Sequence, residues 1–179
     1  IRLKHMRPSR EIIMGIFAIG MSPFAMQLAA SVVQLISNNA LKAHGGDLAI
    51  GAMSIVTSAA MVFFMPIFGI NQGVQPIIGY NYGAKQYDRV KHALKLAIGA
   101  ASMISLLGFF IIEVFPQGVI RIFSNDPELL RIGSRGIRIY LATMPVIGFQ
   151  IVSSNYFQAI GKAKISMFLS LLRQVTLLI

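Results

Sequence analysis

Long stretches without a single charge alternate with short basic segments, and this alternation organises the chain. Glu11 and Lys42 bracket Ile12–Leu41, and Asp47 and Lys85 bracket Leu48–Ala84. Lys95 and Glu113 bracket Leu96–Ile112, which continues through Val114 and Phe115, and Arg138 and Lys162 bracket Ile139–Gly161. Each run reaches or exceeds the ~20 residues that a helix needs to cross a ~30 Å hydrocarbon core. The pattern predicts an all-α, polytopic transmembrane bundle with spans at about 12–41, 48–82, 94–115 and 137–161. A fifth begins at 165–179, and residues 1–10 form a basic cytoplasmic linker. Pro23, Pro66, Pro76 and Pro145 fall inside the runs, where membrane helices tolerate proline if neighbouring helices satisfy the freed carbonyls. A chain that starts at Ile1 and stops within an apolar run reads as part of a longer protein.

Composition agrees with this class. Apolar residues make up 55% of the 179 residues and charged residues only 12%, yet Lys and Arg outnumber Asp and Glu by 16 to 6, a net charge of +10. Phosphate-backbone binding needs a dense basic face that so few charges do not build, so no nucleic-acid partner is expected. There is no cysteine, which rules out disulfides and thiolate metal sites.

The basic residues also orient the spans. Arg2, Lys4, Arg7, Arg10, Lys85, Arg89, Lys91, Lys95, Lys162 and Lys164 fall on one side. Only Lys42, Arg121, Arg131, Arg135 and Arg138 fall on the other. The positive-inside rule places the richer side in the cytoplasm. Arg173 is read as a flank on that same side, with an intramembrane charge as the alternative. Lys42–Asp47 then forms a short outer loop containing Gly45 and Gly46. Ser124-Asn125-Asp126-Pro127-Glu128 reads as a second outer turn entering a helix, with an Asn or Asp cap, Pro in the first turn and an acid at the positive dipole end.

Polar side chains recur inside the runs at helical spacing. Gln27, Ser31, Gln34 and Asn38 step by four, three and four in the first span, so they share a face. Thr143, Gln150, Ser154 and Gln158 step by seven, four and four in the fourth and also share a face. Ser102, Ser105 and Glu113 make a weaker stripe in the third, and Ser54, Thr57, Ser58, Asn71, Gln72 and Gln75 punctuate the second. Such amides either bond helix to helix or line a polar cavity near the bilayer midplane. The two stripes, with Gln27 and Gln150 near mid-depth, favour a cavity. Gly69 and Gly73, like Gly79 and Gly83, lie four apart, as in close helix packing. Eight of the ten methionines, Met14, Met21, Met26, Met53, Met61, Met65, Met103 and Met144, lie within the four spans, where they fill the core or soften a binding surface. His5, His44 and His92 lie in separate loops without acidic partners at ligand spacing, so no metal site and no enzymatic constellation are expected. No glycine-rich phosphate loop is present, so ATP is not the expected energy source.

The run from Gly69-Ile70-Asn71-Gln72-Gly73 through Val74-Gln75-Pro76-Ile77-Ile78-Gly79-Tyr80-Asn81-Tyr82-Gly83-Ala84-Lys85, followed by Tyr87-Asp88-Arg89-Val90, resembles the second-helix signature of the multidrug and toxic compound extrusion (MATE) family. Pro23, the Phe123–Glu128 turn and Gln158-Ala159-Ile160-Gly161-Lys162 resemble the same family in the same order. The resemblance is to its bacterial drug-exporter branch. It implies a twelve-helix fold of two lobes around a central cavity, of which this chain is a partial C-terminal lobe, about helices seven to eleven. It further implies a multi-pass transporter of the bacterial plasma membrane that exports cationic and amphipathic compounds in exchange for protons or sodium by alternating access.

The two polar stripes make Gln27, Ser31, Gln34, Asn38, Gln150, Ser154 and Gln158 the expected lining of the substrate cavity. Gly69, Gly73, Gln75, Pro76, Gly79, Asn81 and Gly83 carry the signature and packing. The expected partners are small-molecule drugs and organic cations, the lipid bilayer, and the N-terminal lobe of the same protein. No cofactor is expected. Sodium-coupled members with a cation site in this lobe use carboxylates on its first and fourth helices, where this sequence has amides, so the coupling site is expected in the other lobe. Two other readings are a lipid-linked oligosaccharide flippase of the same superfamily, which would favour a more cationic cavity, and a non-transporting scaffold or channel subunit. An isolated partial lobe is expected to aggregate, because it would expose faces meant for the other half.

Overall fold

The computed structural model describes residues 9–162 together with 165, 166, 168 and 169. All regular structure among them is helical: α1 Arg10–Gly83, α2 Tyr87–Val114, α3 Pro116–Arg121, α4 Pro127–Tyr140 and α5 Met144–Ala159. The expected fifth span and Arg173 lie outside the described residues, apart from the four positions just named.

The 74 residues of α1 would reach roughly 110 Å if straight, far more than a ~30 Å hydrocarbon core. A break is therefore required, and it falls at Gly46, whose φ of 62° and ψ of −160° belong to a region open essentially to glycine alone. The fold there is sharp enough that a Cβ on Gly45 would stand 2.5 Å from the Ala49 Cβ. In place of the six-residue loop expected at Lys42–Asp47, helix continues to either side of one residue, separating the expected first and second spans.

The third span also differs in extent. The apolar pattern predicts a start at residue 94, but α2 begins at Tyr87, so Asp88, Arg89, Lys91 and His92 are helical and exposed. Charge ends an apolar run without ending a helix. Val90, 3% exposed, anchors this charged turn to the bundle. The connection from α1 is tight: the backbone N–H groups of Ala84, Lys85 and Gln86 donate to the carbonyls of Tyr80, Tyr82 and Asn81, and Lys85 takes a positive φ of 59°.

The fourth expected span, 137–161, is two helices. α4 and α5 meet at 51° across Leu141–Thr143. Pro145 occupies the first turn of α5, where its ring and missing N–H prevent continuation from the preceding turn. The gap closes instead through short-range bonds, Met144 N–H to the Leu141 carbonyl at 2.9 Å and Val146 N–H to the Thr143 carbonyl at 3.0 Å. Pro66 and Pro76, by contrast, lie within continuous α1. The expected turn at 124–128 forms with Asp126 as the cap: its Oδ1 accepts from the Glu128 and Leu129 N–H groups at 2.9 and 3.0 Å.

The second segment of α1, α2 and the later helices enclose two apolar clusters. One joins Val56, Ala59 and Ala60 of α1 to Ile112, Val119, Ile120, Ile137, Leu141 and Met144. The next joins Ile67 to Ala97 and Ala101 of α2 and Ile147, Ile151 and Val152 of α5. The buried positions of α1 from Ala52 to Asn81 recur at helical steps and define one face. Large apolar side chains such as Phe17, Phe24, Met65, Met103 and Phe110 are exposed, as lipid-facing positions of a transmembrane bundle are.

Gly79 near the end of α1 faces the Ala159 carbonyl near the end of α5, 3.5 Å from where a Cβ would stand. Lys85, Arg89 and Lys162 therefore share that end. Arg138 reaches Glu113 at the opposite end.

Candidate functional site

The first polar stripe lies on the α1 segment before Gly46. Half-buried Ala25, Ala29, Ala30, Val33, Ser37 and Leu41 mark the packed side of that segment. At ~100° per residue, exposed Gln27, Ser31 and Gln34 and half-buried Asn38 sit about a third of a turn away, with exposed Leu28, Val32, Leu35 and Ile36 beyond them. The stripe thus runs along the seam between the packed and lipid-type faces. It is closed on itself: the Ser31 hydroxyl donates to the Gln27 carbonyl at 3.0 Å, and Gln34 Nε2 donates to Asn38 Oδ1 at 3.3 Å.

The second stripe differs in its burial. Gln150 Nε2 donates to Ser154 Oγ at 3.0 Å, while Gln150 Oε1 is buried with no hydrogen-bond partner. Ser154 is 6% exposed and Gln158 half-buried. Thr143 lies just before α5 and outside the stripe. The helix carrying these groups is pressed against α2 at Gly148, where a Cβ would stand 2.6 Å from the Ala101 carbonyl oxygen. Among the described residues no hydrogen bond joins the first stripe to the second.

The signature run of α1 divides between two faces. Asn71 and Asn81 turn inward and are buried. Asn81 Nδ2 donates to the Ile77 carbonyl at 2.8 Å with Oδ1 unpaired, and both polar atoms of the Asn71 carboxamide lack partners. Gln75, Pro76, Gly69, Gly73 and Gly83 are exposed. A Cβ at Gly69, Gly73 or Gly83 would meet open space, and only Gly79 of this set approaches another helix. Close packing within the described residues rests on other glycines: Gly148 against α2, Gly108 against Met144 and Phe63, and Gly133 against Ile120.

Asn71 and Ser105, which is fully buried with an unpaired Oγ, extend the set of buried polar groups beyond the expected cavity positions. Their periodicity in the sequence did not separate them from neighbours that bond within their own helix. Thr57 and Ser58, for example, donate to the carbonyls of Met53 and Ser54. Glu113 stands at the end of α2, half-exposed, with Oε1 3.8 Å from Arg138 Nε. Among the described residues no three His, Cys, Asp or Glu side chains stand together as metal ligands would.

Comparison with known proteins accords with this geometry. The multidrug export protein MepA of Staphylococcus haemolyticus is 24% identical over 162 residues, covering 90% of this chain and 35% of that protein. MepA of Staphylococcus saprophyticus is 25% identical over 176 residues, covering 98% and 39%. The chain therefore spans less than two fifths of the length of these relatives. The solved MATE multidrug transporter DinF-BH superposes with a TM-score of 0.79 at 33% identity over 94% of this chain and 39% of that one. An outward-facing multidrug resistance transporter of the family shares the fold with a TM-score of 0.84 at 24% identity, over 98% of this chain and 40% of that one. With the MatE family profile matching residues 12–179, the chain belongs to the MatE family.

Proposed function

We propose that this chain forms most of the C-terminal lobe of a secondary multidrug exporter of the bacterial plasma membrane, and that its amide-bearing helix faces form one wall of the solute cavity. The cargo is cationic and amphipathic small molecules, and the driving force is the return of protons or sodium through alternating access. Membership of the MatE family and the names of MepA and DinF-BH support multidrug efflux. Gln150 carries the cavity assignment: it sits near the middle of α5 with a buried, unpaired acceptor. Leaving such a group unpaired costs about 1–3 kcal/mol, a cost with a natural use where a solute or water is to be bound.

The coupling carboxylate is assigned to the other lobe. Neither stripe holds an acid, and a neutral amide has no charge to switch at physiological pH. Dye efflux from cells expressing the intact transporter tests the function: efflux should collapse when the ion gradient is dissipated. Efflux that persists without a gradient, or drug sensitivity unaffected by expression, would reject it. The cavity is tested with single cysteines at 27 and 150, since this chain has none of its own. Water-soluble thiol reagents should label both in the intact transporter; labelling only from the lipid phase would reject the cavity.

A further inference from the structure

A strongly basic concavity of the described bundle lies away from both stripes. Between the end of α2, α3 and α4 is a groove of roughly 760 Å³ lined by Arg121, Arg131, Arg135 and Arg138 together with Val114, Phe115, Leu130 and other residues of these elements. Arg131, Arg135 and Arg138 follow one another at four and three residues along one side of α4, while Gly133 and Ile137 on its other side are buried. Arg121 arrives from the last turn of α3. Four of the five basic residues that the charge pattern assigns to the outer side therefore converge here.

These charges are poorly compensated. Among the described residues the only ion pair is Arg138 with Glu113, at 3.8 Å, and Arg138 Nη2 also donates to the Glu113 carbonyl at 2.7 Å. Asp126 is engaged in capping α4. Like charges four apart on a helix repel one another, so an anion seated between Arg131, Arg135 and Arg121 relieves a repulsion that the fold otherwise holds. Guanidinium forks match phosphate oxygens in pairs. The rim is apolar and open: Val114, Phe115 and Ile139 are 60%, 66% and 73% exposed. The groove also opens where the apolar span of α2 ends. A free phosphate has no use for that rim, whereas an acyl chain does.

We propose that this groove binds a phosphate anion carried by a phospholipid head group, with the arginines on the phosphate and the acyl chains along Val114, Phe115 and Ile139. The test uses the intact transporter, delipidated in detergent, with native mass spectrometry counting bound lipid and thermal unfolding as the second readout. Phosphatidylglycerol should bind saturably and raise the unfolding temperature, and phosphatidylcholine should do neither. Occupancy should fall as salt is raised from about 0.1 M to about 0.5 M. The double variant Arg131→Gln, Arg135→Gln should weaken phosphatidylglycerol binding about thirtyfold, since each Arg near an anionic lipid surface contributes about a factor of five. Arg121→Gln, outside α4, should weaken it about fivefold and serves if the double variant misfolds. Lys91→Gln with Lys95→Gln, at the other end of α2, should leave it unchanged. Equal binding of the two lipids, arginine variants that bind as the parent does, or inorganic phosphate reproducing the stabilisation would overturn the assignment; the last result would make the ligand a free phosphate.

Discussion

Gly148 of α5 lies so close to the Ala101 carbonyl of α2 that a Cβ would stand 2.6 Å from that oxygen, with Ser105 Oγ crowding the same point. The obstacle is backbone, so it does not rotate away. Gly148→Ala should therefore push α5 off α2 and destabilise the bundle by about 1–3 kcal/mol, read as a lowered unfolding temperature of the intact transporter in detergent. Gly69→Ala and Gly73→Ala, where a Cβ meets open space within the described residues, serve as comparison. If they cost as much as Gly148→Ala, helix packing at that face comes from beyond these residues.

The cap of α4 makes a second, more local test. Asp126 Oδ1 accepts from two N–H groups that otherwise lack intrahelical partners. Asp126→Ala should cost about 1 kcal/mol and Asp126→Asn only a small part of that, since an amide oxygen accepts the same bonds. Thermal unfolding distinguishes the two. Equal losses would show that charge at the dipole end, and not the hydrogen bond, supplies the stabilisation.

That cap was legible because it is local: Asp126-Pro127-Glu128 carries its own chemistry within three residues. The apolar runs were legible for a similar reason, since a bilayer imposes length on sequence directly. Features depending on two distant elements were not. The run 137–161 is continuous in hydropathy, and Pro145 looks like Pro66 and Pro76, which lie in unbroken helix, so its presence alone does not mark the 51° bend just before it. The first turns of α2 carry charge because they extend beyond the apolar run, and hydropathy reports where lipid ends, not where a helix begins. Arg131, Arg135 and Arg138 show their common face in the sequence, but their meeting with Arg121 requires α3 to fold onto α4. Gly148 bears no pattern at all, whereas Gly69 and Gly73 show a packing pattern without a neighbour among the described residues. For the candidate site, the sequence marked Gln150 and Ser154 as one face, but only the fold distinguishes Gln150, with its buried acceptor, from exposed Gln27.

Glu113 is the only carboxylate inside an expected span, which makes it a candidate for ion coupling. Its partnership with Arg138 at half exposure argues instead for a surface pair, a class that contributes about 0–1 kcal/mol. Glu113→Gln should keep the bond from Arg138 Nη2, because that bond ends on the backbone carbonyl. The variant should lose under about 1 kcal/mol of stability and export at the parental rate. Abolished export at parental stability would make Glu113 the coupling residue and refute its structural role.

Gln150 separates stability from transport most cleanly. Replacing it with Leu removes an unpaired buried acceptor while nearly preserving volume, which should leave stability unchanged or raise it by about 1–2 kcal/mol. The Ser154 hydroxyl loses one donor but regains the option of donating to a carbonyl one turn back, as Ser31 does to Gln27. If Gln150 only ties helix to helix, transport should follow stability and survive. If its free oxygen faces the solute path, Gln150→Leu should lower dye export about tenfold or more, the equivalent of one lost hydrogen bond near 1.4 kcal/mol, in a protein that unfolds at the same or higher temperature. The expected outcome is the second, measured by efflux and thermal unfolding on the same preparation. Undiminished export would remove Gln150 from the cavity wall.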